Sequence, residues 1–94
     1  MANIDAYFKS ANSGYLKWEV IEANFNSVDH EESVRGKRIA NIRRIGDNNF
    51  IADVDNLENE PIYDEKDFTS RRSARKWCER LIKKDEKTSK TNIK

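Results

Sequence analysis

Residues 69–84 read TSRRSARKWCERLIKK, and Ala74, Trp77, Cys78, Leu81 and Ile82 fall within them at i, i+3, i+4, i+7 and i+8. That spacing places one apolar stripe along a helix, and the stripe needs a partner surface to cover it. Thr69 or Ser70 supplies a capping oxygen at the start, Phe68 can pack back on the first turn, and Lys83 and Lys84 suit the negative end of the helix dipole. Arg71 and Arg72 are out of place by the same rule. The dipole disfavours cations in a first turn, by about a few tenths of a kcal/mol each, so something other than helix stability selects them.

The surface that covers the stripe is expected upstream. Residues 37–45 and 50–55 carry Ile39, Ile42, Ile45, Phe50, Ala52 and Val54 on either side of Gly46-Asp47-Asn48-Asn49, whose residue types accept a turn. This combination predicts a β-hairpin. Pro61 opens a further short strand at 62–65, suited to a sheet edge because proline donates nothing to a ladder. In 15–28 (YLKWEVIEANFNSV) an alternation of Leu16, Trp18 and Val20 changes phase to Ile21, Ala23 and Phe25. A strand with a bulge near Val20 explains the change; a helix through Trp18, Ile21 and Phe25 is the competing reading. Residues 28–36 (VDHEESVRG) read as an exposed acidic loop, and Ile4, Tyr7 and Phe8 as a short N-terminal helical segment ended by Gly14.

The expected fold is therefore α+β: a three- or four-stranded antiparallel sheet, a C-terminal amphipathic helix packed on one face through Ala74, Trp77, Leu81 and Ile82, and the N-terminal helical segment. Ninety-four residues suffice for one domain. Its bounds are set at 1–84, with 85–94 as a flexible polar tail. No apolar run approaches a membrane span, and no secretory leader pattern opens the chain. With a single cysteine, the expected setting is the cytoplasm, and the expected state a monomer that does not engage membranes.

The net charge of +1 conceals a division. Residues 1–65 hold 7 basic and 13 acidic side chains, and residues 66–94 hold 11 and 4. Arg71, Arg72, Arg75, Lys76, Arg80, Lys83 and Lys84 are expected to cover the solvent face of the helix, with Arg43 and Arg44 on the hairpin as an extension. Rows of guanidinium groups suit phosphate backbones, so this face is the candidate for RNA or DNA contact. A second candidate is an acidic strip of Asp53, Asp55, Glu58 and Glu60 along an edge strand and its loop. That strip either guards the edge or meets a cationic partner.

Catalysis lacks its parts. Cys78 sits on the apolar stripe and reads as a core residue, and His30 has no second histidine or cysteine at ligand spacing. The expectation is a non-enzymatic binding protein without metal or other cofactor.

Asp67-Phe68-Thr69-Ser70 followed by Trp77, together with Ile4-Asp5-Ala6-Tyr7 and an order of strands followed by helix, resembles the small phage-encoded anti-CRISPR proteins that inhibit type I surveillance complexes. The resemblance covers about half the chain. It implies a phage or mobile-element inhibitor, acting in the host cytosol, that binds a CRISPR ribonucleoprotein and blocks its engagement of target DNA. In that family the helix is acidic, where this chain has Arg71, Arg72, Arg75 and Lys76. The alternatives are an integrase-arm or excisionase-like DNA-binding domain, with Arg43, Arg44 and residues 47–49 reading the duplex, or a small accessory protein.

Overall fold

A computed structural model describes residues 15–24 and 27–92, with side chains described as far as residue 87. The N-terminal helical segment expected at residues 4–8 lies outside the described residues. The chain is α+β. Five strands, β1 (Glu19–Asn24), β2 (Ser27–Arg35), β3 (Arg38–Gly46), β4 (Asn49–Asp55) and β5 (Pro61–Phe68), are followed by one helix, α1 (Arg71–Asn92). The strands form one sheet in the order β1-β2-β3-β4-β5, every neighbouring pair antiparallel.

The expectation of three or four strands falls short by the segment read as an acidic loop. Residues 28–35 belong to β2, a long strand in the sheet interior between β1 and β3. Its inward positions include Glu31 and Ser33, both buried, so the strand's period of two is written in polar residues and escapes a hydrophobicity reading. β2 and β3 turn through Gly36, whose φ of +61° favours a residue without a Cβ. The hairpin expected across 46–49 is present but tighter, since Gly46 already pairs with Asn49. In β1 the register shifts between Val20 and Glu22 and again between Glu22 and Ala23, where the change of phase in the sequence called for a bulge. Pro61 starts β5, an edge strand.

Alternation divides the sheet into two faces. Ser33 pairs with Ala40 and Ala40 with Val54; Glu31 pairs with Ile42 and Ile42 with Ala52. These residues are all buried and share the face under the helix. From α1, Ala74, Cys78 and Ile82 are fully buried, while Trp77 and Leu81 flank them half-buried. The helix thus meets the sheet on the i, i+4, i+8 line, with Trp77 off the centre against Phe68, ring centroids 5.6 Å apart. Leu16, Trp18, Val28 and Phe50 complete the core. Ser70 is the N-cap, its Oγ accepting from the Ser73 amide at 3.1 Å.

The helix continues past residue 84, the boundary expected for the domain. Asp85 pairs with Arg38, and Glu86 with Arg35 at 3.0 Å, while the Tyr15 hydroxyl donates to Glu86. These contacts tie the later turns of α1 to the end of the sheet where β2 and β3 meet. Arg35 also lies over the Tyr15 ring, 3.8 Å from its centroid.

Ile82→Ala removes a fully buried side chain and is expected to cost about 2–5 kcal/mol, whereas Trp77→Ala empties only a half-covered site. Chemical denaturation of the two variants is expected to rank Ile82→Ala as the more damaging. The reverse order would move the centre of the helix contact to Trp77.

Candidate binding faces of the helix and the sheet

The expected basic row is divided by the fold. Arg71 and Arg75 turn inward from the first turns of α1 to a single carboxylate, that of Glu31 on β2. Arg71 Nη1 donates to Glu31 Oε1 at 2.9 Å; Arg75 donates through Nε to Oε2 at 2.8 Å and through Nη2 to Oε1 at 3.2 Å. A second Arg71 nitrogen donates to the Val28 carbonyl at 2.9 Å. The Glu31 side chain has no exposed surface, against 20% and 15% for those of Arg71 and Arg75. Both guanidinium groups also lie over core rings, Arg71 at 5.0 Å from the Phe50 centroid and Arg75 at 5.7 Å from that of Trp18. The expectation that Arg71 and Arg75 face solvent is corrected here. An uncompensated buried carboxylate is costly, and these two cations are what satisfies it.

What remains outward is a narrower feature. Arg72, Lys76, Arg80 and Lys84 follow one another at four-residue intervals, all exposed, and none meets a carboxylate among the described residues. At about 1.5 Å rise per residue the row spans about 18 Å, with successive cations about 6 Å apart along the axis. Lys83 stands beside the row, paired with Glu79 at 3.3 Å and placed over the Tyr15 ring.

Arg43 and Arg44 do not extend this row. Arg44 pairs with Asp29 at 3.6 Å and with Asp47 at 2.8 Å. Arg43 alternates to the opposite face of the sheet, beside Asp53.

That opposite face is uncovered by any described residue. Across its middle, Glu19 pairs with Glu32, Glu32 with Asn41 and Asn41 with Asp53, which makes a line of three carboxylates around one amide. Asn41 is only 8% exposed and acts as the bracket: its Nδ2 donates to Asp53 and to Asp55, each at 3.2 Å, and its Oδ1 lies 3.0 Å from His30 Nε2. The Asp53 carboxyl is pushed above the usual carboxylate range, chiefly by burial and further by neighbouring Asp55 and Glu65, against the opposing effects of the Asn41 hydrogen bond and Arg43. The acidic strip expected along an edge is therefore split. Asp53 and Asp55 belong to β4, an interior strand, and Glu58 and Glu60 to the loop after it, where the Asn56 side chain accepts from both of their amides.

Cys78 and His30 lie on opposite sides of the sheet. Burial pushes the Cys78 thiol up, away from the thiolate form, and no group of three His, Cys, Asp or Glu among the described residues is arranged to hold a metal. No helix among the described residues is long and apolar enough to cross a membrane. No family model matches the chain, and no curated protein or solved structure matches it either.

The division of the arginines makes a direct test. Reversing Arg71 and Arg75 to Glu places three carboxylates in one buried site and is expected to lose at least the roughly 3–5 kcal/mol of a broken buried pair, enough to unfold much of the population. Reversing Arg72 and Arg80 is expected to stay within about 0.5 kcal/mol of the parent, since a first-turn Glu suits the dipole. Equal unfolding midpoints for the two double variants would contradict the assignment.

Proposed function

We propose that the protein is a non-catalytic binding protein whose exposed helix row contacts the phosphate backbone of a host ribonucleoprotein. The observation that carries this reading is the line Arg72, Lys76, Arg80 and Lys84, four outward cations on a helix already held to its sheet by other arginines. Four like charges in sequence repel one another and contribute nothing to packing, so an anionic partner is the simplest reason for their alignment. A buried thiol and a distant histidine support a role without covalent chemistry.

The resemblance of residues 67–77 to phage anti-CRISPR proteins names the partner most worth testing, a type I surveillance complex. The duplex-reading alternative is disfavoured by the sheet. Arg43 shares its face with Glu32, Asp53 and Asp55, and a groove-bound sheet would hold those carboxylates against phosphates.

The test is fluorescence anisotropy with three labelled targets: a type I CRISPR ribonucleoprotein, its guide RNA alone, and a DNA duplex of matched length. Wild-type protein is expected to bind the ribonucleoprotein with a log–log salt slope of about −3 to −4, as four neutralised phosphates require. The variant with Arg72, Lys76, Arg80 and Lys84 all changed to Glu is expected to bind at least tenfold more weakly with an unchanged melting curve. Undiminished affinity in that variant would remove the helix row as the binding surface, and preferential binding of the bare duplex would favour the DNA-binding alternative.

A further inference from the structure

The face of the sheet that no described residue covers has a composition that folding does not ask for. Glu19 and Glu32 stand directly opposite each other on β1 and β2, an arrangement that destabilises a sheet. Asp53 and Asp55 are held on one amide of Asn41 instead of being turned apart. Against these carboxylates the face offers one guanidinium, Arg43, and the ring of His30. The same face also exposes large aliphatic side chains. Val34 is 56% exposed, and the half-buried Ile39 and Ile51 lie beside the acidic line, one on each side. Carboxylates in a line with apolar residues flanking it match neither a solvated face nor a nucleic-acid surface. They do match a protein segment that brings cations and apolar side chains together.

We infer that this face of the sheet, opposite the helix, is a second binding surface, whose occupant is a Lys/Arg-rich, partly apolar segment of a partner protein. Cations of the occupant meet the line Glu19, Glu32 and Asp53, while its apolar side chains cover Val34 and Ile39 on one side and Ile51 on the other. Asn41 holds the middle carboxylates in place before the partner arrives, so little side-chain freedom is lost on binding. The burial of Asp53 works in the same direction, since a carboxylate already partly stripped of water gives up little hydration when a cation meets it. The helix row lies on the other side of the molecule, so this inference stands independently of the phosphate contact proposed above.

The probe is a twelve-residue peptide with equal shares of Arg, Leu and Ser, titrated into the full isotope-labelled chain and followed by amide chemical shifts. Two control peptides replace all Leu by Ser, or all Arg by Glu. Shifts are expected to concentrate on β2, β3 and β4 at Glu32, Val34, Asn41 and Asp53, with each control peptide at least tenfold weaker. Glu32→Gln, which breaks no hydrogen bond among the described residues, and Val34→Ser, at a site already more than half exposed, are each expected to weaken binding severalfold without moving the melting temperature. Reversing Arg72, Lys76 and Arg80 to Glu is expected to leave the peptide affinity unreduced. Shifts confined to α1, equal binding of the Leu-free peptide, or no shift at millimolar peptide would each overturn the inference.

Discussion

A carboxylate without solvent contact in the middle of a sheet is an obligation that the rest of this chain is arranged to meet. Glu31 lies on β2 with no exposed side-chain surface, and its two oxygens accept three hydrogen bonds from Arg71 and Arg75. Desolvating three charges offsets much of what they gain from one another, so the cluster is a poor source of net stability. Its consequence is positional. Only one placement of α1 sets both guanidinium groups against Glu31 while lowering Ala74, Cys78 and Ile82 onto Ala40, Ile42, Ala52 and Val54. An apolar stripe can slide along an apolar sheet at modest cost, but a forked ion pair cannot slide with it. At the other end of the sheet, the pairs of Arg35 with Glu86 and Arg38 with Asp85 act in the same sense.

This arrangement also determines what the molecule shows to solvent. With Arg71 and Arg75 turned inward, the outward cations reduce to a line at four-residue spacing. Among the described acidic residues, Glu31 lies beneath the helix, Glu19, Glu32, Asp53 and Asp55 stand on the opposite face of the sheet, Asp29 and Asp47 pair with Arg44, and Glu58 and Glu60 lie in the loop between β4 and β5. The near-neutral net charge is thus the sum of two oppositely charged faces separated by a thin core. A nucleoprotein presents both complementary chemistries at close range, phosphates and the basic protein surface that holds them. The proposed helix and sheet contacts fit the two halves of such a target.

The sequence made the helix, the central hairpin, the edge strand at Pro61 and the bulge in β1 legible, because each rests on apolar periodicity or turn chemistry. It concealed β2, and for an identifiable reason. In residues 28–35 two of the inward positions are Glu31 and Ser33, so the alternation that marks a strand was present but not apolar. The signal that could have recovered it lay elsewhere in the chain, in the cations at the N-terminal end of a helix where the dipole disfavours them. Arg71 and Arg75, four residues apart, ask for an anion from another element. The same oversight placed both among the outward residues. Whether a charged side chain on a helix faces water or a partner depends on what lies opposite, and helical spacing alone does not contain that information.

The central claim is that Glu31 and the inward arginines form one energetic unit, and a double-mutant cycle between Glu31 and Arg75 tests it most directly. Glu31→Ala, Arg75→Ala and the double variant are unfolded in denaturant alongside the parent chain. The account predicts that the double variant is less destabilised than the sum of the singles by at least about 2 kcal/mol, because each single change strands a charge that the other removes. Additivity within about 0.5 kcal/mol would show that the two residues act independently, and would contradict the account.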